Sequence, residues 1–156
     1  MSWAILTLTA AILCCVALID LRHFTIPNSL VIALVLLFFA YAWQSGRSAS
    51  IPSHFAFGLA TSLVMLVFYT RGWAGGGDVK IAGTALLWVG LECALAFAIL
   101  LLVFSAAHAV AARLGWLAMQ SDERSRMRIP FAPSVAAAMI GTFLSGCLLP
   151  GHPVGS

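Results

Sequence analysis

Long apolar runs, broken only by short polar connections, constrain this chain more than any other feature. They cover about Trp3 to Ile19, Pro27 to Trp43, His54 to Thr70, Val79 to Leu91, Cys93 to Ala112 and Phe131 to Leu149. Runs of this kind have no polar face to offer water, as the surface helices of soluble domains do. Composition agrees: 62% of residues are hydrophobic and 8% charged, against about 25% charged in a soluble domain. Inside a bilayer the backbone must satisfy its own hydrogen bonds, which leaves helices as the economical solution. The expectation is therefore an all-α, polytopic membrane helix bundle of about six transmembrane helices, forming one domain over residues 1–156. Met1-Ser2-Trp3 carries no basic residue, so the first run reads as a retained transmembrane helix rather than a cleaved signal.

The fourth run, Val79 to Leu91, is short. Its residues span roughly 20 Å as a helix, against a hydrocarbon core of about 30 Å. Either the bilayer thins there, or the preceding Gly75-Gly76-Gly77 segment lies at membrane depth. Non-helical backbone at that depth must be packed in protein or face a water-filled cavity.

Charge sets the expected orientation. Arg22, Arg71, Lys80, Arg113, Arg124, Arg126 and Arg128 fall on the first, third and fifth connections, while Arg47 alone falls on the second. By the positive-inside rule the odd connections are cytoplasmic and both termini extracytoplasmic. The net charge of +3 is thus a mark of topology, and no nucleic-acid partner is expected. The lipid bilayer is.

Two acids stand at span ends on that same face, Asp20 after the first run and Asp78 before the fourth. Acids at membrane depth are costly and usually face the bundle interior. Singly, each can be an interfacial or capping residue. Together, with three glycines beside one of them, they suit a hydrolytic site. Two carboxylates held close cannot both ionise easily and so share a proton. One can then deprotonate a water while the other protonates the carbonyl oxygen or leaving amine. The glycines, lacking Cβ atoms, allow an extended substrate to approach closely.

Other chemistries lack their signatures. There is no H-E-x-x-H for a metalloprotease, and no G-K-[ST] follows the glycines as a P-loop would require. Ser105 and His108 lie three apart without a glycine-flanked nucleophile. No metal or cofactor is expected. The four cysteines, Cys14, Cys15, Cys93 and Cys147, form no C-x-x-C pair and read as small polarizable core residues.

Asp20, then Ile26-Pro27-Asn28, then Gly75-Gly76-Gly77-Asp78-Val79-Lys80, and finally Arg128-Ile129-Pro130-Phe131-Ala132-Pro133 occur in an order and spacing that resembles the type IV prepilin peptidase family of GxGD aspartic proteases. The resemblance implies a six-helix aspartic endopeptidase of the bacterial inner membrane, serving pilus biogenesis and protein secretion. Such an enzyme removes the basic leader of prepilin or pseudopilin substrates after a glycine, on the cytoplasmic side. By match of motif, Asp20 and Asp78 are its catalytic pair, with Gly75, Gly76, Gly77, Lys80, Pro27 and Asn28 around them. Bifunctional members carry a methylating domain, often with cysteine pairs, before the peptidase helices. Here only Leu21 to Asn28 separates the first two runs, as in the compact peptidases of tight-adherence (Flp-type) pilus systems, and methylation is not expected.

The remaining polar residues have plain readings. Lys80 snorkels to the headgroups. Arg22 and His23 set topology, and Glu92 starts a helix at the far end of the bundle. His108 is a packed, hydrogen-bonded histidine. Asp122 to Arg128 is a solvated, charge-mixed segment. Gly141 and Ser145 form a small-xxx-small pattern for packing within the chain. A proton-coupled transporter or channel subunit with an aspartate-lined water path is the alternative, but gives the glycine run no purpose. A structural assembly subunit explains neither acid.

Overall fold

The computed structural model describes residues 2–115, 120–121, 127–128 and 130–147. Among them the chain forms six α-helices: α1 (Ser2–His23), α2 (Asn28–Gln44), α3 (Ile51–Thr70), α4 (Gly76–Val89), α5 (Ala94–Arg113) and α6 (Ala132–Leu144). A 3₁₀ turn at Ser48–Ser50 leads into α3, and β1 (Gln120–Ser121) pairs antiparallel with β2 (Met127–Arg128) between α5 and α6. Of the expected charge-mixed stretch, Asp122 to Arg128, residues 122–126 lie outside the described residues, as does the chain beyond Cys147.

Helix boundaries follow local chemistry. Pro27 stands as N-cap of α2 in extended conformation, φ −62° and ψ 134°, because its ring fixes φ and its missing N–H costs nothing at a helix start. Pro52 and Pro133 occupy the first turns of α3 and α6 for the same reason. Gly90 closes α4 with φ 61° and ψ −176°, a conformation reserved almost wholly for glycine.

The outer surface is apolar. Leu8, Leu36, Leu59, Leu63, Leu95, Leu102 and Val103 are all exposed, although water would penalise every one of them. Three helical segments, Trp3–His23, Ser48–Thr70 and Ala94–Arg113, are long and apolar enough to cross a membrane, while α2 and α6 are shorter apolar helices. The short α4 is different. It is the central helix, packed on α3, α2 and α6, with Ile81, Ala85, Leu87, Trp88 and Val89 buried.

Trp88 anchors this core. Its indole Nε1 donates to the Leu34 carbonyl of α2 at 2.9 Å, and its ring lies 5.8 Å from Phe38, 5.6 Å from Tyr41 and 5.7 Å from Phe143. The α3–α4 seam is close because it is built on glycine: a Cβ on Gly58 would stand 3.0 Å from the Gly83 carbonyl, and one on Gly83 would strike the Ser62 hydroxyl. A Cβ on Gly141 would meet Leu100 at 3.1 Å, so this glycine does serve packing within the chain.

The cysteines depart from expectation. Cys93 and Cys147 form a disulfide that ties the α4–α5 turn to the end of α6, while Cys14 and Cys15 are free and exposed rather than core. Spacing could not reveal the pair, since the two partners meet only once α5 and α6 pack side by side. In SDS without reductant, a maleimide-polymer reagent is expected to modify only Cys14 and Cys15, and all four cysteines after reduction. Four modified sites without reductant would remove the bridge.

Candidate active site

The ends of α1, α3 and α5 gather with the starts of α2, α4 and α6 at one end of the bundle. Asp20 sits in the last turn of α1, only 6% exposed. The helix ends at once: the Phe24 N–H donates to the Asp20 carbonyl at 2.9 Å, and Phe24 itself adopts a left-handed φ of 52°. That position usually belongs to glycine, and a side chain there costs on the order of 1 kcal/mol. The reward is a tight reversal that lays Ile26 against the start of α4. A Cβ on Gly77 would meet the Ile26 side chain at 3.3 Å, so glycine at position 77 lets the Ile26-Pro27-Asn28 connection approach α4.

The glycine run is more helical than its sequence suggests. Gly75 is the N-cap, and Gly76 and Gly77 already belong to α4, which begins before the expected Val79. Asp78 explains the early start. Its Oδ2 accepts the Gly75 N–H at 2.8 Å, and its own N–H donates to the Gly75 carbonyl at 3.1 Å. A carboxylate reaching back in this way satisfies a donor that a helix start otherwise leaves open. Tyr69 of α3 lies 3.6 Å from where a Gly76 Cβ would stand.

Asp20 is anchored to a different helix. Its Oδ2 accepts the N–H of Ala132, in the first turn of α6, at 3.0 Å, with the Phe131 amide also acting on it. Each aspartate is thus held by the N-terminus of a helix, Asp78 by its own and Asp20 by α6. The positive ends of two helices converge there and offset part of the cost of burying charge. The two carboxylates are near enough for their charges to act on each other. His108 of α5 also interacts electrostatically with Asp20, and its Nδ1 lies 3.2 Å from the Ser134 hydroxyl on α6.

Of the other residues singled out in the sequence, Gly75, Gly76 and Gly77 adjoin Asp78, and Pro27 stands beside Ile26 at the same end. Asn28 is exposed at the start of α2. Lys80 is exposed too and borders a cavity of about 260 Å³ between α2, α3 and α4, lined by Val31, Val35, Leu59, Gly83 and Thr84. Ser105 makes no bond to His108, whose partner is Ser134 on another helix. The Ala132 amide and Ser134 are what sequence reasoning missed. Their one visible signal was the proline-flanked stretch from Arg128 to Pro133. Among the described residues no three His, Cys, Asp or Glu side chains come together as a metal-binding group.

No curated protein and no solved structure matches this chain. A family model does: that of the type IV leader peptidase family matches residues 7–112, which take in both aspartates and the glycine run and stop short of α6. Covering well over half of an apolar, six-helix chain, this match shows that the protein belongs to the type IV leader peptidase family.

Proposed function

We propose that this protein is an aspartic leader peptidase in which Asp20 and Asp78 form the catalytic pair. What supports this reading is that the two carboxylates lie at the same end of the bundle, buried or half-buried, near enough for their charges to act on each other, and each accepting a backbone amide. Pinning matters because acid–base catalysis needs both groups held at fixed range of one water and one scissile bond. In the free enzyme the pair shares a proton. The ionised member takes a proton from water as it attacks the scissile carbonyl. The protonated member supplies one to the developing oxyanion; as the C–N bond then breaks, the proton taken from water goes to the leaving amine and the diol returns a proton to the second carboxylate, restoring the shared proton. Because the pair titrates as a unit, the roles belong to the pair.

The substrates are prepilin- or pseudopilin-like membrane proteins with a basic leader ending in glycine and an apolar stem. Family membership supports the substrate class, and the apolar exterior supports approach from within the bilayer. All six helices cross the bacterial inner membrane, with the carboxylates on the cytoplasmic side and both termini outside. Two observations support that orientation. Arg22, Arg71, Lys80 and Arg113 are exposed at the carboxylate end, as the positive-inside rule requires of a cytoplasmic face. The Cys93–Cys147 disulfide is at the other end, and disulfides persist in oxidising compartments such as the periplasm.

Co-expression with a prepilin is the direct test: a leader-sized mobility shift is expected with this protein and none with an empty vector. Absence of the shift with every pilin-like substrate offered would sink the reading. Orientation is tested separately. Reporters fused after Arg126 and after Gly151, both outside the described residues, are expected to report opposite sides of the membrane. Same-side signals would break the six-span topology.

A further inference from the structure

The first turn of α6 is held from two sides. On one, Asp20 of α1 takes the Ala132 amide at 3.0 Å. On the other, His108 of α5 meets the hydroxyl of Ser134, two residues further along the same turn, at 3.2 Å. Ser134 is almost wholly buried. Between Ala94 and Ala112, α5 is apolar apart from Ser105 and His108. A membrane helix that keeps an imidazole does so at a cost, and such residues pair inside the bundle with a purpose. Packing alone gives no such purpose, because a leucine would fill the space and leave no polar atom behind. The ring does leave one: its Nε2 is buried and has no hydrogen-bond partner among the described residues.

We propose that His108 is a positioning residue for the aspartate pair: through Ser134 it fixes the first turn of α6, and that turn fixes Asp20. The inference rests on the peptidase reading above and adds a residue to it. Without the His108–Ser134 contact, the start of α6 keeps its bond to Asp20 and its apolar packing on α5 but loses this side-chain hydrogen bond to that helix. The Ala132 amide and the carboxylate then move together relative to Asp78. A displacement of that kind lowers the rate of the chemical step while leaving the affinity for substrate as it was, because it moves the reacting groups relative to each other.

The test is steady-state cleavage by the purified full chain in detergent. The probe is a membrane peptide with a basic leader, a glycine at the cut and an apolar stem. His108→Leu and Ser134→Ala are each expected to lower kcat by about 10–100-fold, the range that small misplacements cost, with KM unchanged. His108→Asn sets an amide group where Nδ1 stands and is expected to recover most of the lost kcat. Ser134→Ala removes a single oxygen and carries the test if His108→Leu does not fold. Wild-type kcat in both His108→Leu and Ser134→Ala would overturn the role, as would a loss confined to KM or an Asn variant no better than Leu. A wild-type protein that cleaves nothing would overturn both this inference and the peptidase reading. A wild type that cleaves, beside indifferent variants, would overturn this inference alone.

Discussion

Asp20→Asn and Asp78→Asn are each expected to stop leader removal, with cleavage rates falling by about 10²–10⁴-fold, the usual contribution of a positioned acid or base. The substitution is chosen to separate chemistry from structure. Asparagine keeps a carbonyl oxygen that can still accept the Ala132 amide at position 20 or the Gly75 amide at position 78. The helix starts therefore survive, while the shared proton and the negative charge are gone. The double variant is expected to be little worse than either single one, because groups acting as a unit are not additive. Mobility of a co-expressed prepilin on a gel reads the outcome. Normal processing by both single variants would leave two helix-capping acids and no catalytic pair. For Asp78 the capping role is real in any case: Asp78→Ala should also loosen the start of α4, by about 1 kcal/mol.

Gly90→Ala should be among the most destabilising single-methyl additions in the chain, by about 2–5 kcal/mol. Two causes add. The backbone there, φ 61° and ψ −176°, is open to glycine and hardly to any other residue. A Cβ would also run into the His54 ring. That ring cannot move aside cheaply, because it is buried, its Nδ1 lies 2.9 Å from the Leu87 carbonyl, and it stacks on Phe38 with centroids 5.5 Å apart. Gly46→Ala is the internal control. It too has a positive φ, 72°, but nothing lies within 4 Å of the added carbon, so only the backbone term of about 1–2 kcal/mol applies. Thermal unfolding in detergent compares the two. Equal midpoints would mean that His54 does not press on Gly90.

Much of this architecture was legible before folding, for reasons particular to membranes. The hydrocarbon requires apolar runs and closed backbone hydrogen bonding, so the runs ending at about Ile19, Trp43, Thr70 and Ala112 announced α1, α2, α3 and α5 closely. Pro27 marked the start of α2 because its geometry is local. The fourth helix was harder. Glycines are poor helix formers, so Gly76 and Gly77 read as loop. Yet the Asp78 carboxylate closes on the Gly75 amide and draws both into α4. That balance is struck by one side-chain bond, which hydropathy does not register. The cysteines show the same limit. Cys93 and Cys147 look alike in sequence to Cys14 and Cys15, and only the pairing of α5 with α6 tells them apart.

The sequence by itself determined that this is an apolar helical bundle, that its basic residues gather on alternate connections, and that Asp20 and the Gly75–Lys80 stretch are the acids and glycines to watch. Each of these is a property of composition or of neighbours along the chain. The tertiary structure alone decided what holds Asp20. Its partners, the first turn of α6 and, one step further, Ser134 and His108, come from the far end of the chain. A carboxylate takes whichever amide the packing of helices brings within about 3 Å, and no periodicity along the sequence encodes that distance.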